Sequence, residues 1–232
     1  MMRKYLIIAI IALVSTGQAS AQSLGKRIKN GFKNTIDLLD QDVTATGTHG
    51  RWDFYITPKV GVAASNLTGM GGNIKLGFIG GFYTEVFILP NLAVDVEMTY
   101  SRQGTNSVTH VNNHGVGSVY NYRLDYINTD YFCRWYPYEK TPLSVYSGIQ
   151  VSRLVKAKYV MNGEANSIRS NLRSGDVSIP VGVSYECGQW QADLRYNFGI
   201  TRVPRNDLAK SIMGKAHCHT LALTLGYKIQ VW

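Results

Sequence analysis

Asp53-Phe54-Tyr55-Ile56-Thr57-Pro58-Lys59-Val60-Gly61-Val62-Ala63-Ala64 carries Phe54, Ile56, Val60 and Val62 on one parity and Asp53, Tyr55, Thr57, Lys59 and Gly61 on the other. Successive strand residues point to opposite faces, so this segment is a ribbon with one apolar side. Seven further stretches repeat the pattern, giving candidate strands Asp53–Ser65, Asn73–Ile88, Leu92–Gln103, Tyr122–Tyr136, Leu143–Met161, Asp176–Cys187, Trp190–Val203 and His217–Val231. Through the middle of each, every charged side chain falls on the same face. A soluble sandwich also alternates, but it tolerates charge on its outer face and hides its apolar side. The rest of the chain decides for the reverse arrangement, a wall with lipid outside.

The chain begins Met1-Met2-Arg3-Lys4, continues with an apolar run from Tyr5 to Val14, and reaches Ala19-Ser20-Ala21 ahead of Gln22. A basic head, a short apolar middle and small residues at a cleavage point read as a secretory signal over residues 1–21. The run is too short to span a bilayer as a helix, which takes about 20 apolar residues. No cysteine stands at the cleavage point to carry a lipid anchor. Mean hydropathy is −0.10, as expected of barrel strands in which only alternate residues are apolar. The 23 Gly and 15 Tyr against 6 Pro fit a strand-rich chain with close backbone approaches. Net charge is +9, but the Lys and Arg are scattered and export removes nucleic acid as a partner, leaving outer-membrane lipids as the expected target of the positive charge. Three cysteines, Cys133, Cys187 and Cys218, cannot form a complete disulfide set. Cys133 and Cys187 take the outward parity of non-neighbouring strands and read as small apolar side chains.

The connections alternate in length. Leu89-Pro90-Asn91, Pro137–Pro142 and Gly188-Gln189 are short, whereas Asn66–Gly72, Gly104–Asn121, Asn162–Gly175 and Pro204–Ala216 are longer. Short turns on the periplasmic rim and longer loops outside are the outer-membrane arrangement, and an even strand number leaves both termini on the short-turn side.

Parity then sorts the side chains. The lipid face carries Leu76, Phe78, Phe82, Val86 and Ile88, then Leu92 to Tyr100 at alternate positions, and so on to Leu221, Leu223, Leu225, Tyr227 and Ile229. The opposite face holds Lys59, Lys75, Glu85, Asp95, Glu97, Asp130, Arg134, Glu186, Asp193, Arg195 and Lys228, an expected lumenal charge network. Arg102, Arg123, Asp125, Arg153 and Arg202 break the rule, all toward long-loop ends, where charge reaches head groups. Trp52, Trp135, Trp190 and Trp232 fall at short-turn ends and read as a periplasmic aromatic belt.

Residues 22–51 differ from the rest. Leu24, Ile28, Phe32, Ile36 and Leu39 recur at helical spacing among Lys26, Arg27, Lys29 and Lys33. An amphipathic helix on the membrane or in the barrel mouth and a loosely ordered periplasmic leader both fit. The barrel domain is therefore expected over 52–232.

No motif assigns chemistry. His217-Cys218-His219 offers two imidazoles on one face, and His110 and His114 lie in the longest loop, but a metal needs three or four converging ligands, so no metal and no cofactor are expected. His219 with Ser152 or Ser178 is a conceivable base and nucleophile without distinctive spacing. Gly77-Phe78-Ile79-Gly80-Gly81 sits inside a strand pattern with no following helix, and so marks curvature or interior space, not a phosphate loop.

Specific strings resemble a known family. Pro58-Lys59-Val60-Gly61-Val62-Ala63-Ala64-Ser65-Asn66-Leu67 is similar to the first strand of the PorT-like outer-membrane β-barrels of the Bacteroidetes, which are small barrels of the OmpA and OmpX kind. Val96-Glu97-Met98-Thr99-Tyr100-Ser101-Arg102-Gln103-Gly104 resembles that family's third strand, Arg195-Tyr196-Asn197-Phe198-Gly199-Ile200-Thr201 its seventh and Leu223-Thr224-Leu225-Gly226-Tyr227-Lys228-Ile229 its last. Asp130 stands where the family has Pro, and Ile229 where it has a terminal Phe. The resemblance implies dependence on the barrel assembly machinery and points to secretion-system or surface partners. The expectation is an all-β, eight-stranded antiparallel up-and-down transmembrane barrel without enzymatic activity, serving secretion, surface binding or envelope integrity. The alternative is a small lipid A-modifying enzyme, a deacylase or acyltransferase.

Overall fold

The computed structural model describes residues 49–111, 117–137, 142–161, 163–207, 211, 213–214 and 216–231. The expected signal, all but the last three residues of the N-terminal segment, His114 and Trp232 lie outside the described residues. The strands are β1 (Phe54–Leu67), β2 (Asn73–Leu89), β3 (Leu92–Val111), β4 (Gly117–Trp135), β5 (Leu143–Met161), β6 (Glu164–Ser167), β7 (Gly175–Cys187), β8 (Trp190–Gly199), β9 (Cys218–Tyr227) and β10 (Ile229–Gln230). Eight of them form a ring in the order β1-β2-β3-β4-β5-β7-β8-β9, each antiparallel to its neighbours, with β9 pairing back onto β1. The short β10 prolongs β9 past Lys228 in unbroken register, since Ile56 opposes Ile229 and Lys59 opposes Gly226. β6 is a side hairpin on β5. Closure of β9 onto β1 leaves the ring without an edge strand, as hydrocarbon demands because it offers the backbone no hydrogen bonds.

The two faces are chemically opposite. Leu76 is 74% exposed, Val60 66% and Leu223 53%, while Glu85, Asp95 and Asp130 are 0% exposed. Phe54 departs from the outward set and is buried at the short-turn rim. Cys133 and Cys187 are exposed and unpaired, and Cys218 is buried. Of the belt, Trp135 and Trp190 stand exposed at the short-turn rim, with Trp190 edge-on to Tyr227. Trp52 lies at the same end, in the turn before β1, under the Arg51 guanidinium.

Most strand ends shift by one or two residues from the sequence expectation, and larger differences lie in β3, β4, β5 and β8. β3 and β4, at 20 and 19 residues, run about twice the 9–11 residues that a tilted crossing needs. Most of the expected loop 104–121 is thus hairpin, with Val108 opposite Tyr120 and Val111 opposite Gly117. Thr105, Val108, Thr109, Val119 and Tyr120 favour extended backbone there. β8 stops at Gly199, before the expected Val203, because the following residues fold over the barrel mouth. In β5, Val155 is an extra residue: Tyr126 opposes Leu154 while Asp125 opposes Lys156. This bulge turns Lys156 and Lys158 outward, whereas uninterrupted parity from Val151 would turn them into the lumen.

Arginine at an outward mid-depth position faces hydrocarbon, and at a position beyond the rim it faces water. Val181→Arg and Leu223→Arg should each cost about 2–4 kcal/mol of folding free energy in lipid vesicles, whereas Val119→Arg should cost about 0–1 kcal/mol. Urea titration of the vesicle-folded proteins measures the difference, and equal losses at all three sites would refute the assignment of faces.

Candidate functional site

The inward side chains stack in three levels. At the short-turn end, Arg134 from β4 donates from Nε to Asp95 Oδ2 at 2.7 Å and lies 3.4 Å from Glu85 Oε1. Its Nη1 reaches Ser144 Oγ at 3.1 Å and also Ser184 Oγ. Lys228, in the break between β9 and β10, bridges Glu85 at 2.7 Å and Glu186 at 2.6 Å. The Tyr136 hydroxyl joins the same two carboxylates at 2.8 and 2.6 Å. His49, just ahead of β1, stacks on Phe87 at 4.1 Å and sits 3.4 Å from Glu186, so the residues entering the barrel wall cover this level.

The middle level centres on Glu97. Its two oxygens take Lys59 at 2.5 Å and Arg195 at 2.9 Å; Lys59 also reaches Asp193 at 3.4 Å, and Arg195 reaches Asp130 at 3.6 Å. Ser184 links the two levels by donating to Asp193 at 2.9 Å while receiving Arg134. Gly182 makes room for this packing, because a Cβ there would lie 2.4 Å from the Tyr146 ring, which carries the Arg134 guanidinium 4.4 Å over its face. Such rings offer desolvated cations a second favourable surface.

Ten of the eleven charges expected in the lumen are therefore gathered there: Lys59, Glu85, Asp95, Glu97, Asp130, Arg134, Glu186, Asp193, Arg195 and Lys228. Lys75 is the correction. It lies half-buried near the long-loop end, and its Nζ donates to Asn106 Oδ1 at 2.8 Å, away from the lumenal ion pairs. Parity cannot show depth, and Lys75 is the third residue of β2. Its absence leaves four cations against six carboxylates, so the network is acidic in formal charge.

Above the ion pairs, groups that are uncharged apart from Asp176, which shares the inward face of β7 with Ser178, take over. Asn128 donates to Thr99 and Ser101, Ser178 donates to Gln150 at 2.6 Å, and Gln103 accepts from Thr220 and Cys218. The long-loop mouth is closed by an apolar cluster that includes Leu67, Val108, Leu124, Tyr126, Leu154, Leu172, Val203 and Met213. Two loops clasp one another to bring these in: Arg173 N donates to Val203 O at 3.0 Å, Arg205 N to Asn171 O at 3.0 Å, and Val203 N to Ala216 O at 2.9 Å. Charge parity alone does not reveal this cap, but the sequence carries a signal for it: Leu67, Leu124, Tyr126 and Leu154 are apolar on the inward parity at long-loop ends.

The conceivable catalytic pair is not assembled. Ser178 and Ser152 are buried on the inward face, and His219 stands on the outer face beside Tyr196 and Phe198. Among the described residues no group of three or more His, Cys, Asp or Glu is placed to hold a metal ion.

Removing one member of a buried pair strands its partner. Arg134→Met should destabilise the folded barrel by about 3–5 kcal/mol because Asp95 loses its closest cation. Adding Asp95→Leu should cost less than the two single losses together, a coupling visible in a double-mutant cycle by urea unfolding. Strict additivity would show that the pair does not interact.

Several solved barrels are similar in arrangement. The attachment invasion locus protein Ail of Yersinia pestis, solved with the heparin analogue sucrose octasulfate, is 14% identical, with 78% of this chain and 100% of that chain covered at a TM-score of 0.46. Neisserial surface protein A is 15% identical over 76% of this chain and 97% of that one, also at 0.46. The outer membrane protein OprG from Pseudomonas aeruginosa is 12% identical over 79% and 98%, at 0.39. A comparison with curated protein sequences finds no match. Residues 44–204 match the family model described as outer membrane protein beta-barrel domain. With that match covering most of the chain and the closed lipid-facing ring beside it, the chain belongs to the outer membrane protein beta-barrel domain family.

Proposed function

We propose that this outer-membrane barrel is a non-enzymatic and non-conducting protein that holds a surface structure in the membrane, in the service of surface binding or envelope integrity. One observation carries the reading: the lumen is blocked twice, by paired charges in its lower half and by the apolar cap at its long-loop mouth. An eight-stranded ring encloses only enough width for side chains to fill. The extended β3–β4 hairpin supplies the structure that is held, since it continues well past the membrane-crossing length.

The enzymatic alternative finds no support in the geometry, because the serines and the histidine it would use lie on opposite faces of the wall. The PorT-like strings in β1, β3, β8 and β9 support a finer placement among secretion-linked envelope barrels of the Bacteroidetes, assembled by the barrel assembly machinery and meeting secretion-system or surface partners through the long loops. The secretory-signal pattern in the sequence of residues 1–21 supports export through the periplasm. In this reading the long loops face outward and the short turns face the periplasm.

Planar-bilayer recordings of the purified full chain should show little or no steady conductance. A stable porin-like conductance would overturn the closed-lumen reading and put solute passage first. On intact cells, in a background lacking the three native cysteines, Thr109→Cys should react with an impermeant thiol reagent and Gln189→Cys should not. The reverse pattern would invert the proposed orientation.

A further inference from the structure

We infer that the long-loop rim of β3, β4 and β5 is a binding site for the phosphate of an anionic membrane lipid. The inference rests on the lipid-facing wall and is independent of whether the lumen conducts.

The strand pairings lay the outer face out as a grid. Met98, Thr129 and Val151 form one row, and Tyr100, Ile127 and Arg153 form the next. Beyond it come Arg102, Asp125 and Lys156, then Gly104, Arg123 and Lys158. Five cations thus begin where the apolar band ends, which is the depth of lipid head groups. Three of them owe their common face to the Val155 bulge: Arg153 precedes it on the outward parity, and Lys156 and Lys158 follow it on the reversed one. Bulges commonly re-aim side chains at functional places.

The patch has far more cations than anions. Asp125 is its single carboxylate, buried and already shared by Arg102 Nε at 3.1 Å and Arg123 Nε at 3.4 Å. Lys158 faces Arg123 directly across the strands, a like-charge arrangement that disfavours pairing when nothing lies between the charges. Among the described residues no carboxylate pairs with Arg153, Lys156 or Lys158. Arg123, Asp125, Lys156 and Lys158 line a cleft of about 90 Å³. An oxyanion seated there would accept from Arg123, Lys156 and Lys158 together, and charge-assisted bonds of this kind are the strong ones. Asp125 orients the two guanidinium groups beside it.

A lipid is the fitting source of that oxyanion. The cleft opens on the outer face of the wall, directly beyond hydrocarbon-facing side chains. Arg102 lies 4.9 Å over the Phe78 ring, which stacks on Tyr100 at 5.5 Å, so an aromatic shelf adjoins the cations on the membrane side. A headgroup phosphate held by the cations would lay its acyl chains along that shelf, a contact that a soluble anion cannot make.

The test uses the purified full chain in phosphatidylcholine nanodiscs doped with phosphatidic acid or with diacylglycerol, its phosphate-free counterpart, with retained lipids counted by native mass spectrometry after partial delipidation. Phosphatidic acid should be retained over both other lipids, and Lys156→Gln/Lys158→Gln should lower that retention at least about tenfold. Arg173→Gln/Arg205→Gln, with the same charge change on exposed loop residues, should leave it unchanged. Lys158→Gln alone provides a milder variant with a smaller loss in the same direction. Equal retention in the site and control variants overturns the proposal. So does competition by inorganic phosphate at the same concentration as the lipid, which would make the cleft a site for free phosphate. Loss of heparin binding in Lys156→Gln/Lys158→Gln with lipid retention intact would likewise overturn it, in favour of a soluble polyanion.

Discussion

A wall one strand thick has no interior of its own, so each residue of the ring must choose between hydrocarbon and the lumen, and its neighbours are bound to the opposite choice. Closure of β9 onto β1 makes that choice collective. A one-residue slip in any pair would exchange the faces of a whole strand. For β3 such a slip would carry Asp95 and Glu97 into lipid and Val94 and Val96 into the charged lumen. The barrel's register is therefore enforced from both sides, and the ion network and the apolar belt are two consequences of one constraint.

The lumenal charges are better understood as specifying the ring than as strengthening it. Desolvating an ion pair costs about as much as its attraction returns, while stranding one member is severe. Glu97 illustrates the difference: it meets Lys59 from β1 and Arg195 from β8, elements far apart in the chain that only the closed ring brings together. Arg134 likewise depends on β2, β3, β5 and β7 for its partners. Partly assembled or misregistered sheets leave these groups unpaired, so the network penalises alternatives more than it rewards the native state.

Period-two alternation made most of the fold legible in the sequence, because lipid punishes exceptions at mid-depth and so keeps the pattern clean. All ten charges that meet in the lumen lie on the parity that the sequence assigns to the inward face. Lys75 could not be sorted, since parity reports the face of a residue and not its height along the barrel. The Val155 bulge was equally silent, because a single added residue has no compositional mark, yet it decides where Lys156 and Lys158 point. The hairpin beyond the rim carries no lipid-facing apolar stripe, because outside the membrane a strand needs only β-favouring residues such as Thr105, Val108 and Val119. The clasp between Arg173, Val203 and Arg205 is made of backbone hydrogen bonds and leaves still less trace in residue identity.

Depth, more than sequence position, organises what the barrel offers to its surroundings. The paired charges occupy the lower lumen, where aromatic rings and the residues ahead of β1 keep them from the short-turn mouth. Polar groups follow, with Asp176 alone among them a carboxylate, and apolar side chains close the long-loop end, so polarity inside falls in the direction in which it rises outside. At the long-loop rim the two gradients meet across a single strand of β4: Leu124 and Tyr126 face the dry cap while Arg123 and Asp125 face outward. The cap excludes water behind these charges. Their field is therefore directed outward, onto the cleft with Lys156 and Lys158, and that is where an anion would gain most from it.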